Sequence, residues 1–379
     1  MATIAEPRIS GAPRRAYRPS PTRHIAILDP LRGLAALAVC LFHFTSGSTN
    51  LPNQLTASDP LRTLGTFGKY GVEAFFVISG FIIPYSLYLR GYRLRDAGRF
   101  LVRRFKRIEP PYFAAIGLVL GMNWLVTQAS SYRGEPFQPQ WAQWAAHVAY
   151  LNAFLGFEWL NPVFWTLALE FQFYLLIALA FPLLGHQRTS IRVVTLLSTI
   201  PLAFLGQEQM GLLFRWLPLF AMGTAAFQGI TGQMRWSLVG LVCLLTGGAS
   251  WHLLGVTSTT TAVLTAALIM VWGHRPLPAL LKPLAWAGAI SYSLYLVHVP
   301  IGLRVLNLAT RLPDSGLVRY GSVVLALALS VVFALIFWWC IERPSQKWSQ
   351  GPRPSTNGRR RPIVTKTDSV ASEYASSRA

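Results

Sequence analysis

Charge is sparse in this 379-residue sequence, and acid most of all: 13% of the residues are charged, with 14 Asp and Glu against 34 Lys and Arg. Set against 53% hydrophobic residues, that shortage excludes a soluble globular protein, which could not bury so much apolar surface. Nor is there a long polar stretch that could fold as a separate soluble module. The formal charge of +20 therefore has no folded basic face to act through, and nucleic acid is excluded as a partner. Cysteine is nearly absent. Cys40, Cys243 and Cys340 are odd in number, fall in apolar stretches and lack ligand-type spacing, so neither a disulfide framework nor a metal site is expected. The polar, Pro-rich, basic N-terminal stretch does not resemble a cleavable signal peptide. No internal repeat is evident, which counts against an inverted-repeat transporter.

What is present is a succession of apolar stretches separated by basic loops. Ten spans are read, at approximately 26–45, 70–89, 110–128, 163–184, 191–207, 212–230, 235–254, 258–273, 285–307 and 318–341. The fold class is then all-α, a polytopic transmembrane helical bundle of about ten spans. With the N-terminus in the cytoplasm, about 25 of the 34 Lys and Arg fall inside, about 5 outside and about 4 within spans, the asymmetry of the positive-inside rule. The chain divides into a cytoplasmic basic tail (1–24), a transmembrane domain (25–348) and a disordered cytoplasmic tail (349–379) with too few apolar residues to fold. Both termini are expected in the cytoplasm, and the protein in the cytoplasmic (inner) cell membrane among membrane lipids. The longest outside segment contains WAQWAAHVAYLNAF, too short to span and read as an interfacial or re-entrant helix.

The first span, LDPLRGLAALAVCLFHF from Leu28 to Phe44, carries Asp29, Arg32 and His43. On a helix the eleven residues from Arg32 to His43 make three turns plus ~20° and rise ~16.5 Å, so the two side chains share one face. Ionisable groups in a bilayer normally face a polar interior and mark a pathway or site. The alternative is an Asp29–Arg32 ion pair at the interface, with His43 as a packing histidine.

Other polar residues accompany it. The second inside loop, GRFLVRRFKRIEPPYF, places Leu101, Phe105 and Ile108 at helical spacing, giving an interfacial amphipathic helix with Pro110 and Pro111 opening the next span. Its arginines either anchor the topology on anionic headgroups or clamp phosphate, which a guanidinium matches bidentately. Glu73 enters the second span, Glu170 and its i+4 neighbour Tyr174 the fourth, and Tyr292, Tyr295 and His298 the ninth. Together with His43 they are expected to form a site in the outer half of the bundle, in which Tyr174, Tyr292, Tyr295 and His298 are candidate substrate-binding groups.

These blocks resemble the acyltransferase-3 family of integral membrane O-acyltransferases, whose first span has an Arg, ten residues and a His, as in Arg32 and His43. GVEAFFVISGF, Arg104 and Arg107 as an Arg-x-x-Arg pair, FWTLALEFQFYLL, SYSLYLVH and the closing IERP follow in family order, so the resemblance covers roughly 25–348. Two departures stand out: Pro30 where the family commonly has Gly, and Phe171 where many members have a second Glu. A mechanism needing paired carboxylates at Glu170 is therefore not expected. No fused outer transferase domain is recognised, and the stand-alone type would complete transfer within its membrane domain.

The resemblance implies transfer of an acyl group, usually acetyl, from cytoplasmic acyl-CoA (acetyl-CoA) to a hydroxyl of a glycan, glycolipid or other carbohydrate-containing acceptor, with no metal. His43 is expected as the base, with Glu73 or Glu170 orienting its second nitrogen. Arg32, Arg104 and Arg107 are expected to bind the donor. A transporter or flippase of a polar or lipid-linked substrate is the alternative, and would require matching, Gly/Pro-broken halves, which the sequence does not display.

Overall fold

The computed structural model describes residues 24–47, 55–128, 137–138, 140–206, 208 and 211–350. The expected basic tail up to residue 23 and the expected disordered tail after Gln350 lie outside these residues. The first helices are α1 (Leu28–Thr45), α2 (Pro60–Phe67), α3 (Gly71–Leu89) and α4 (Ala97–Thr127). Two short helices, α5 (Trp141–Val148) and α6 (Asn152–Leu155), precede α7 (Phe164–Leu184), α8 (Thr189–Leu197) and α9 (Thr199–Leu205). There follow α10 (Leu217–Ile230), α11 (Trp236–Leu254), α12 (Val256–Trp272), α13 (Lys282–Ala289), α14 (Ser291–Ala309), α15 (Gly316–Phe337) and, after a π-helical turn at Trp338–Glu342, α16 (Arg343–Gln350).

Six of these helical segments are long and apolar enough to cross a membrane, seven if the pair bent by 66° around Ile290 is one span. The remaining expected spans correspond to the shorter apolar helix pair α8–α9, to α12, and to the 14-residue α10, every residue of which is buried. The break between α8 and α9 precedes Pro201, which cannot donate to the carbonyl of Leu197 and crowds it.

One expectation about the second loop fails. Residues 97–127 form a single 31-residue helix with Pro110 and Pro111 inside it, rather than an interfacial helix followed by a new span. The prolines remove two internal hydrogen bonds, yet Pro111, Tyr112 and Ala115 pack inward and keep the chain helical. As a result the Arg-rich stretch is the first third of a spanning helix. Asp29 likewise pairs with His24 at 3.0 Å and not with Arg32.

Two apolar cores organise the bundle. One joins α3, α7 and α10 to α11 and α12, with Phe220 stacked on Phe173 at 4.2 Å and on Phe76 at 5.0 Å between ring centroids. Here α3 and α10 touch backbone to backbone: a Cβ on Gly223 would lie 2.8 Å from the Phe81 nitrogen, and the Thr224 hydroxyl donates to the Gly80 carbonyl at 2.8 Å. Small residues permit such an approach where lipid supplies no hydrophobic drive. The other core joins α1, α4, α14 and α15.

The α5–α6 segment folds onto this second core. Tyr150 holds a left-handed φ of 57°, costly for a side chain with a Cβ. Stacking on Tyr112 (4.9 Å) and Phe171 (5.2 Å), with a hydroxyl donated to both oxygens of buried Glu109 at 3.1 Å, offsets the strain. Burial pushes the His147 imidazole below its ordinary value. In the neutral ring Nδ1–H donates to the Gln143 carbonyl at 2.8 Å while Nε2 accepts from the Leu160 amide at 3.0 Å, which ties Leu160 to α5.

Candidate active site

The residues singled out in the sequence separate into three groups. The first is a histidine pair. α1 carries His43 and α14 carries His298, and the two rings meet at 3.2 Å between His43 Nδ1 and His298 Nε2. Their tautomers follow from their neighbours. His298 Nδ1 faces the carbonyls of Leu294 (3.0 Å) and Tyr295 (2.9 Å), so it carries the proton and Nε2 has the lone pair. His43 Nδ1–H is then the donor to that lone pair and to the Val39 carbonyl at 3.0 Å. What remains on His43 is an unprotonated Nε2 with no partner among the described residues. His298 is fully buried and His43 half-buried.

The second group lines a cavity of about 300 Å³ in the seam between the two cores. Arg32, Arg104, Arg107, Glu170, Tyr174, Tyr292 and Tyr295 all reach it from α1, α4, α7 and α14. Arg104 is the most fully positioned: it donates to the Ser86 hydroxyl at 3.0 Å and lies over the rings of Phe100 and Tyr174 at 5.5 and 5.3 Å. The Tyr174 hydroxyl donates to Glu170 at 2.5 Å, and that of Tyr292 to the Ile108 carbonyl at 3.0 Å. Tyr295 connects the groups, since it lines the cavity, shares a 2.8 Å hydrogen bond with Thr166 and lies 5.9 Å from the His298 ring.

Glu73 stands alone. Only 6% exposed, it accepts from Ser258 of α12 at 2.8 Å and faces away from the cavity. Two expectations are corrected by this geometry. Neither Glu73 nor Glu170 bonds to His43, and the partner on its second nitrogen is His298. The residues also do not gather into one site: Glu170, Tyr174, Tyr292 and Tyr295 line the cavity with Arg104 and Arg107 of the unbroken α4, whereas His43 and Glu73 do not. Nor does His298 line the cavity.

Glu342 lies in the IERP block but is not among the candidate site residues read from the sequence. It sits in the π-helical turn, a feature often found at functional sites, and lines the cavity with the three arginines. Its carboxylate accepts from the Ser293 amide (3.1 Å) and hydroxyl (2.5 Å) and from Gln346 (2.8 Å). An acid at the end of an apolar span, in a chain with so few acids, was the available sign. Three guanidiniums against two carboxylates leave the cavity wall suited to anionic groups. No group of His, Cys, Asp and Glu able to hold a metal occurs among the described residues.

The family model for acyltransferase-3, described as an acyltransferase domain, matches residues 25–343. The chain is similar to BcsY of Komagataeibacter xylinus, by name a membrane-bound transacylase, at 27% identity over 346 residues, which cover 83% of this chain and 81% of that protein. It is also similar to the O-acetyltransferase OatA of Staphylococcus aureus, 28% identical over 193 residues that cover 48% of this chain and 29% of OatA. No solved structure matches it.

Proposed function

We propose, on the premise that the chain belongs to the acyltransferase-3 family and is an integral membrane acyltransferase, that it moves an acetyl group from cytoplasmic acetyl-CoA to a hydroxyl of a carbohydrate-containing acceptor. The observation that carries this reading is the separation of two chemistries along α1. Arg32, with Arg104 and Arg107, offers phosphate-binding groups at one end, and His43 offers a free imidazole lone pair eleven residues on, about 16.5 Å by helical rise. A long donor with phosphates at one end and a thioester at the other fits that separation.

In the proposed step, His43 Nε2 takes the proton of the acceptor hydroxyl as its oxygen attacks the thioester carbonyl carbon. The tetrahedral adduct collapses with loss of the CoA thiolate, to which the imidazolium returns the proton. The His298 Nε2 and Val39 carbonyl that hold His43 Nδ1–H fix the tautomer and support the imidazolium, the part a carboxylate plays in hydrolytic triads. Glu342 and Glu170 balance the arginines of the cavity. The domain limits, the inner membrane and the cytoplasmic placement of both termini belong to the same proposal and are supported by the Lys and Arg asymmetry.

The test compares acetyl-CoA with its 3′-dephospho form on wild type and on the Arg104→Ala, Arg107→Ala protein. A hydrogen bond to a charged partner is worth ~1.5–3 kcal/mol, so wild type should prefer the full donor by roughly ten- to hundredfold and the variant should not. Equal discrimination by both proteins would return these arginines to topological anchoring.

A further inference from the structure

A second cavity, of about 330 Å³, lies between the last turns of α4, the segment 160–162 and the second half of α14. It is separate from the arginines described above: those lie near the beginnings of α1 and α4, whereas this cavity is lined by the end of α4 and the second half of α14. Its polar groups are Asn123, Asn161, Arg304 and Asn307, and no acid is among its lining residues. Arg304 donates to Asn123 Oδ1 at 2.6 Å and has no ion-pair partner among the described residues. That uses one of the five donors of the guanidinium. Asn161 is fixed, donating to the Leu296 carbonyl at 3.1 Å and accepting from the Val163 amide at 3.3 Å. The Asn123 and Asn307 amides keep free donors.

A half-buried guanidinium on an apolar helix, without a carboxylate and with donors to spare, is suited to receive an anion. The remaining walls, Met122, Leu160, Val299 and Leu303 among them, are apolar and suit the carbon face of a sugar ring. The cavity and the histidine pair meet the same helix, α14. Val299 adjoins His298, and the Phe44 ring next to His43 packs against Gly302 on the same helix.

We propose that this cavity is the acceptor site, taking a hydroxyl-bearing molecule with an anionic group, carboxylate or phosphate, the anion on Arg304 and hydroxyls on Asn123 and Asn307. The assignment rests on the acyltransferase reading. The same anion could be supplied by a lipid headgroup, and the test separates the two sources.

The full-length protein, in nanodiscs of neutral phosphatidylcholine, is titrated with D-glucuronate, glucose 6-phosphate and D-glucose while its melting temperature is followed. Wild type should respond to the two anionic sugars at concentrations at least tenfold below glucose. Arg304→Gln should abolish the difference, and Arg304→Lys should retain part of it. Acetyl-CoA, titrated in the same samples, should stabilise all three proteins alike. No response of wild type to the anionic sugars, or an equal response in Arg304→Gln, overturns the acceptor site. Stabilisation of wild type but not Arg304→Gln by phosphatidylglycerol, without any by the sugars, assigns the anion to lipid and also overturns it. Absence of an acetyl-CoA response in wild type would instead remove the proposed acetyl-CoA-dependent transfer on which the site rests.

Discussion

A histidine can act as a base only in the tautomer whose lone pair faces the substrate, and for His43 that choice is made two steps away, by the carbonyls of Leu294 and Tyr295. On the proposed mechanism His298 would be a positioning residue. Replacing it by Ala should lower kcat by about 10²-fold or more, within the range of general-base contributions, and leave the KM for acetyl-CoA unchanged. Gln, which can set an amide oxygen where Nε2 now accepts, should recover part of the loss. If Gln were no better than Ala, or if KM rose with the fall in kcat, His298 would be packing alone. The His43→Ala protein should be inactive and normally inserted. The shared face of Arg32 and His43 was legible in the sequence, because helical period alone fixes it within one helix. The His43–His298 contact was not, nor was the turning away of Glu73 toward Ser258, since both depend on how separate helices rotate against one another.

At the scale of elements, the misread helix is α4, where a proline pair that would ordinarily mark a start lies inside a continuous helix. The consequence is chemical: a loop expected on the membrane surface becomes the wall of a cavity. The π-helical turn at Trp338–Glu342 was equally illegible, since nothing in WWCIE distinguishes it from ordinary helix, and it is what lines up Glu342 with Ser293. The α3–α10 contact offers a direct check on packing. Gly223→Ala would drive a methyl into the backbone of Val77 and Phe81, and overpacking of this kind costs roughly 1–3 kcal/mol. Gly248→Ala on α11, where a Cβ meets nothing within 4 Å, should instead be neutral or stabilising by roughly 0.5–1 kcal/mol. Melting temperatures of the two purified variants measure the contrast, and equal values would mean that the two helices separate freely.

For the whole molecule, the all-helical membrane class was legible from composition and hydrophobic run length, and the division into two cores with a polar seam was not. Sidedness is the property the rest depends on. In a background lacking the three native cysteines, a probe at Gln138 should react with an impermeant thiol reagent in intact cells and a probe at Gly98 should not; labelling at Gly98 would invert the arrangement. If the proposed sidedness holds, with the first cavity open to the cytoplasm and the second to the outside, the histidine pair would stand between two compartments and the proposed reaction would cross it. The acceptor would then give up its hydroxyl proton outside and coenzyme A would leave inside as the thiol, so each turnover would carry one proton inward with the acyl group moving outward uncharged. Acyl transfer would then be electrogenic, drawing up to about 2.3 kcal/mol per 100 mV from the membrane potential, and a cell could modify its exterior faster when it is well energised than its acetyl-CoA supply alone would allow.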